Sequence, residues 1–312
     1  MRRLIAAALV GGVVAAAGIG WANEARAHSS GPTVVPWRTA ASMPDRRSYF
    51  ASAEIGGRVY VAGGMVGASG KYVLKLQRFN PRSDSWTRLP DMPGEARAAA
   101  GAALDGRLVV AGGQTAKGAS RRVYAYDPRT GRWSSLAPLP SPRYNAAAAV
   151  LGGRLYVAGG VRDIDPTRSM FVYDAETKRW RTAPSLPRPV HTQALVPYRG
   201  ELWSIGGFDA AGDPLRSVWI FSPKTNRWRP GPRLAAPVAM VGATASGNRL
   251  YAVSELVFES YAPGRGWRLG PQLGVPRHAL GLFAAAGRLW AIGGCVVPEL
   301  ADSRVVESRP IG

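Results

Sequence analysis

Residues 152–160, Gly-Gly-Arg-Leu-Tyr-Val-Ala-Gly-Gly, constrain the fold more than any other stretch, because close copies recur along nearly the whole chain. Copies end at Gly64, Gly113, Gly207 and Gly294, and a degenerate copy, Gly-Asn-Arg-Leu-Tyr-Ala-Val-Ser, ends at Ser254 without its glycine pair. The steps between these ends are 49, 47, 47, 47 and 40 residues. A period of that size belongs to propellers and solenoids, whose repeats bury their apolar faces only against one another.

The third repeat shows the internal punctuation. Pro142-Arg143 leads into an apolar run of small residues, 144–150, and Gly152-Gly153 marks a turn. Residues 155–158 form a second apolar run that stops at Gly159-Gly160. After a polar loop, residues 170–173 run to Asp174, and Arg179-Trp180-Arg181-Thr182 forms a last, more polar run. Short segments rich in Val, Tyr and Trp between Gly, Pro and Asp are strand and turn signals, and no segment beyond the N-terminus keeps a helical period. Each repeat is therefore expected to be a four-stranded antiparallel sheet.

The combination of Arg-Leu-Tyr-Val-Ala-Gly-Gly, Tyr-Asp-Pro at residues 126–128, and Trp133 about twenty residues past its glycine pair resembles the kelch repeat. The resemblance covers residues 36–310 and implies an all-β, six-bladed kelch-type β-propeller, one blade per repeat. Tryptophans at 37, 86, 133, 180, 228 and 267 each introduce a last strand. Trp37 has no repeat before it and the sixth repeat has no tryptophan after it, so residues 34–40 are expected to supply the outer strand of blade six and close the ring. A five-bladed ring with a discarded sixth copy is the alternative. The glycine pairs are read as tight strand exits; a phosphate-cradling loop needs a following helix, and none is expected. The tryptophans are read as packing between blades.

The N-terminus reads differently. Arg2 and Arg3, an uncharged stretch over residues 4–20, and Ala25-Arg26-Ala27 form a secretory signal peptide expected to be cut after Ala27, leaving residues 28–33 as a tail and 34–312 as a single propeller domain. A retained membrane anchor is the competing reading. Taking Arg2, Arg3, Arg26 and Glu24 from totals of 40 basic and 20 acidic residues leaves 37 and 19, a charge of +18. It is spread over every repeat, with no dense block of the kind that tracks nucleic acid. The expected setting is secreted, periplasmic or envelope-associated, with no membrane span after cleavage, and the expected partner is a protein or an anionic carbohydrate or envelope ligand. Cys295 is the one cysteine, so no internal disulfide is available.

Function in a propeller sits where loops converge at a mouth of the channel. Arg47, Arg97, Arg143 and Arg277 stand 15 or 16 residues before the first glycine of their pairs, and Arg122, Arg168, Arg216 and Arg304 just before third strands. Together they are the candidate ligand-binding set for an acidic ligand, guanidinium forks being suited to carboxylate or phosphate. The competing reading is that arginine after proline braces neighbouring blades. His191, Glu255 and His278 are the candidate acid/base residues, Glu255 because it follows the lost glycine pair. With three histidines and one cysteine, no metal or other cofactor is expected. Galactose oxidase shares the repeat, but its copper chemistry finds no counterpart around Cys295. Exported six-bladed kelch proteins include N-acetylneuraminate epimerases, so the two functional expectations are a binding or interaction module at an arginine-lined mouth and a sugar epimerase or mutarotase acting on an acidic sugar such as sialic acid.

Overall fold

Strands alternate with turns along the whole of the computed structural model, which describes residues 35–67, 70–296 and 301–311. The leader expected at residues 1–27 and the tail at 28–33 lie outside the described residues. Blade 3 is typical: strands Ala147–Leu151, Arg154–Ala158, Met170–Asp174 and Arg179–Ala183 pair antiparallel in that order. Blades 1, 2, 4 and 5 repeat this order, starting at Ala51–Ile55, Ala100–Leu104, Ala194–Tyr198 and Gly242–Ser246. Blade 6 has three of its strands at the C-terminal end, Gly281–Ala285, Arg288–Ile292 and Val306–Pro310, and its fourth, Arg38–Ala40, from the opposite end of the chain. Arg38, Thr39 and Ala40 pair with Ser308, Glu307 and Val306. The ring is thus six-bladed and closed by the N-terminal strand.

Burial follows strand position. In the second strand of blade 3, Leu155 to Ala158 are all buried, because this strand has sheet on both edges and a neighbouring blade on both faces. Fourth strands such as Arg179–Ala183 have no paired outer edge and carry charge there, which discourages edge-to-edge pairing with another molecule. The first strands pack against one another in the cycle of blades 1, 2, 3, 4, 5, 6 and back to 1. Their small residues answer to that crowding: a Cβ on Gly101 would lie 2.6 Å from the Ser52 carbonyl oxygen of the blade before it.

Six apolar clusters fill the junctions, each shared by two adjacent blades. At the closure, Val59, Val61 and Phe79 of blade 1 meet Trp290, Ile292 and Val306 of blade 6. The fourth-strand tryptophans add directional bonds around the rim. The Nε1 groups of Trp86, Trp133, Trp180 and Trp228 donate to the carbonyls of Ala41, Pro90, Ala137 and Pro184, each just past the fourth strand of the preceding blade, and Trp37 donates to Pro271. These indoles are joints between blades.

Candidate functional site

The glycine pairs decide what reaches the mouth. The second glycine of each pair donates its N–H to a carbonyl in the loop that enters the next blade: Gly64 to Ala96, Gly113 to Arg143, Gly160 to Val190, Gly207 to Val238 and Gly294 to Arg47. Gly64 has φ +96°, and a Cβ there would stand 2.6 Å from the Ser48 carbonyl oxygen, so a side chain is excluded by both conformation and space. In blade 5, which has no pair, Glu255 N–H makes the bond instead, to Arg277. These carbonyls define six equivalent slots, held by Arg47, Ala96, Arg143, Val190, Val238 and Arg277.

The three arginines in these slots do not present their guanidinium groups to a ligand. Arg47, Arg143 and Arg277 are fully buried. Arg47 Nη1 donates to the carbonyls of Gly63 and Lys75. Arg143 Nη1 does the same to Gly159 and Ser169, and its Nη2 donates to Ser141 Oγ and Ser169 Oγ. Arg277 donates to the Gly293, Ala291 and Val275 carbonyls and pairs with Glu307 at 2.8 Å. They brace the strand exits beside the glycines. Burial holds the Arg47 and Arg143 guanidinium groups down to about 10, partly opposed at Arg47 by Asp45 and Asp91.

Arg97 differs because it stands 15 residues before Gly112, whereas the three buried arginines stand 16 before their glycines. That single residue moves it out of the buried slot, which Ala96 takes, and into the next position, where the equivalents are Ser48, Tyr144, His191, Ala239 and His278. Arg97 is partly exposed; its Nε donates to Gln114 Oε1 at 2.8 Å and its Nη1 lies 3.7 Å from Met65 Sδ. The arginines before the third strands point elsewhere. Arg122, Arg168, Arg216 and Arg304 are exposed. The carbonyls of Arg168, Arg216 and Arg304 accept from Leu186, Leu234 and Met43, residues just past fourth strands, which puts them on the outer half of the face. Arg216 Nε also donates to the Leu234 carbonyl.

One residue further in, Tyr49, Ala98, Asn145, Thr192, Met240 and Ala279 all take φ between +50° and +56°. This turn aims their backbones at one another. Ala98 N–H donates to Tyr49, Asn145 to Ala98, Thr192 to Asn145, Val241 to Thr192, Ala279 to Met240 and Tyr49 to Ala279. Six blades are thereby joined by a closed collar of backbone hydrogen bonds. Tyr49 Oη donates to Met240 Sδ at 2.9 Å, linking the loops that enter blades 1 and 5, which are not neighbours in the ring. Burial pushes the Tyr49 phenol up to about 12, with Cys295, Asp302 and Glu255 adding to the rise and Arg97 opposing it. Tyr49 therefore feels a cation and carboxylates together.

The acid/base candidates separate into two places. His278 and Glu255 meet, Nδ1 and Oε1 being 3.4 Å apart, within ion-pair range but not aligned as a hydrogen bond. Blade 5 makes this possible. Its second strand, Arg249–Ser254, and third strand, Val257–Ala262, are joined only by Glu255 and Leu256, with Glu255 at φ +50°. Beside them Asp302 accepts from Ser48 Oγ and, at 2.6 Å, from Gly67 N–H, while the Cys295 thiol is pushed up to about 11, chiefly by burial. His191 lies on blade 4 against Phe208, ring centroids 5.5 Å apart, and burial lowers its pKa. Ser48, Tyr49, Tyr144, Asn145 and Asp302 were missed by sequence reasoning; the signal for the first four was their place one or two residues past each slot.

Among the described residues no three His, Cys, Asp or Glu side chains group to hold a metal ion, and no helix is long and apolar enough to cross a membrane. The Asp209 carboxylate is occupied as a turn cap, accepting from Ala211 and Asp213 N–H. A family profile describing the KLHDC2/KLHL20/DRC7 Kelch-repeats domain matches residues 49–253. The solved structure of YjhT superposes with a TM-score of 0.74 at 19% identity, covering 86% of this chain and 99% of that one. A search of curated proteins finds no match to this sequence.

Proposed function

The chain belongs to the kelch-repeat domain family, and from that premise we propose that it is a binding module whose collared mouth takes a small hydroxylated anion. The observation that carries this reading is the order of charge along the collar: Tyr49 bonds to Ala98, next to Arg97, and to Ala279, next to His278, which meets Glu255, while Asp302 holds the neighbouring Ser48. A carboxylate on the ligand suits the exposed part of the Arg97 fork, and carboxylate and imidazole acceptors suit ligand hydroxyls. An acidic sugar, free or at the end of an envelope carbohydrate, has both groups. On the leader reading of residues 1–27, this module works outside the cytoplasm, in the periplasm, at the envelope or secreted, with a protein or such an anionic carbohydrate as partner.

The His278–Glu255 approach favours a second reading, mutarotation of the acidic sugar, because ring opening needs one group to take a proton and another to give it. Calorimetric titration with N-acetylneuraminate and with a neutral sugar separates the possibilities. Binding of the acidic sugar alone, weakened about tenfold or more by Arg97→Ala but not by the peripheral Arg168→Ala, supports the binding module. Equal affinity of wild type and Arg97→Ala overturns it. A mutarotation rate above background that Glu255→Gln abolishes adds the enzymatic reading, and no rate at high protein concentration removes it.

A further inference from the structure

The sixfold repeat supplies its own control for the buried arginines, and blade 3 departs from the others. In blade 6, Arg277 has Glu307 as a partner, on the third strand opposite Ala291. The equivalent third-strand residue in blade 1 is Gln77, opposite Val61, whose Nε2 holds Asp45 at 2.5 Å, and Asp45 is the carboxylate that most offsets the burial of Arg47. In blade 3 that position is Phe171, opposite Val157, and its ring lies 4.3 Å from Arg143 Cζ. An aromatic face tempers a cation but carries no net charge. Among the described residues no carboxylate pairs with Arg143, and the charge that acts on it is another cation, Arg162. Blades 4 and 5 avoid the problem by placing Val190 and Val238 in the slot.

Beside Arg143 opens a pocket of about 350 Å³ lined by Ser141, Thr167, Ser169 and Phe171, with Arg162 and Asp165 at its rim. Arg143 Nη2 donates to both serine oxygens at 2.9 Å, so each serine keeps its own O–H to donate onward. Thr167 Oγ1 and Ser169 Oγ are 3.0 Å apart and share one proton between them. Of the three hydroxyl protons, two remain to point into the pocket. Buried positive charge thus reaches the pocket through hydroxyl donors, while the exposed Arg162 offers a second cation and Asp165 the one carboxylate.

We propose that this pocket on blade 3 is a second, anion-binding site, taking a single phosphate, sulfate or carboxylate group against the Ser141, Thr167 and Ser169 hydroxyls with Arg143 behind them. The bound anion supplies the counter-charge that Glu307 and Asp45 supply in blades 6 and 1. The site is separate from the mouth and does not depend on what the mouth binds, since none of its lining residues belongs to the collar.

Thermal unfolding of the whole protein at constant ionic strength, with chloride replaced stepwise by sulfate, inorganic phosphate or acetate, tests this. A ligand that binds only the folded state raises Tm with a saturating dependence on its concentration. The expected result is a saturating rise with at least one of these anions, its half-saturation moved about tenfold higher in Ser141→Ala/Ser169→Ala and in Arg162→Ala. Response to phosphate and sulfate assigns a tetrahedral oxyanion; response to acetate alone assigns a carboxylate. A rise that never saturates, or one identical in wild type and Ser141→Ala/Ser169→Ala, is a general salt effect and overturns the proposal. Arg143→Met is expected to abolish saturation, and the serine and Arg162 variants keep the test decisive if that variant does not fold.

Discussion

Replacing Arg277 by methionine tests how the arginine braces work. The substitution keeps an unbranched side chain of similar reach in a site with no exposure, but removes the cation from Glu307, which is itself 3% exposed. It also removes donors to Gly293, Ala291 and Val275. Breaking a buried pair from one side costs about 3–5 kcal/mol, because the remaining charge is stranded. Unfolding entropy of ~2.1 cal/mol/K per residue gives ~0.6 kcal/mol/K for a propeller of this size, so Tm should fall by about 5–8 °C. Glu307→Gln in the same background removes the stranded charge but keeps an acceptor for Gly274 N–H, now 2.7 Å away, so the double variant should recover at least about 1 kcal/mol. Arg143→Met, in the same slot but with no carboxylate to strand, should cost less than half as much. Denaturant unfolding of these three variants and of Glu307→Gln alone measures all of this. Equal losses for Arg277→Met and Arg143→Met, or a double variant that is simply the sum of its singles, would refute charge pairing as the reason.

Deleting the chain through Ala40 removes the strand that pairs with Val306–Ser308 and the Trp37–Pro271 bond, and should lower Tm by well over 10 °C; scanning calorimetry showing an unchanged midpoint would remove the closure from the stability argument. Glu259 is fully buried and has its pKa raised by burial, which is only partly opposed by the N–H groups of Ala235 and Ala236 that it accepts from and by Arg216. The folded protein therefore holds this proton more tightly than the unfolded chain, so stability from this group is complete below the unfolded carboxyl value of about 4.3 and is lost as pH rises through the higher folded value. Glu259→Gln should flatten that part of the Tm-against-pH curve; an unaltered curve would show that other groups set it.

The repeat, the turns and the tryptophan phase were enough to read six blades and the closing strand, because each leaves a local mark in the chain. The mouth was readable only in part. Arg97 and the buried arginines differ by one residue of spacing, 15 against 16, and that difference decides burial; the residue type alone placed them all in one pocket. His278 and Glu255 lie 23 positions apart, and they meet because blade 5 lost its glycine pair and the loop that follows such a pair in the other blades. Glu259 gave no warning, since nothing near it in sequence shows that its place in the strand is the place of Phe171 and Glu307 in other blades.

The closed collar has an electrical consequence. Each of its six hydrogen bonds runs from one blade's loop to the next, around the channel and not along it. Peptide dipoles arranged head to tail in a circle point in all directions of the plane and nearly cancel, unlike those of a helix, which add along one axis. The collar therefore contributes almost no net dipole of its own at the mouth. The sign that a ligand meets from the collar's neighbourhood is set by side chains such as Arg97, Glu255 and Asp302, and at Arg97, whose guanidinium bonds, among the described residues, to the side chains of Gln114 and Met65, it can be changed without touching the backbone ring.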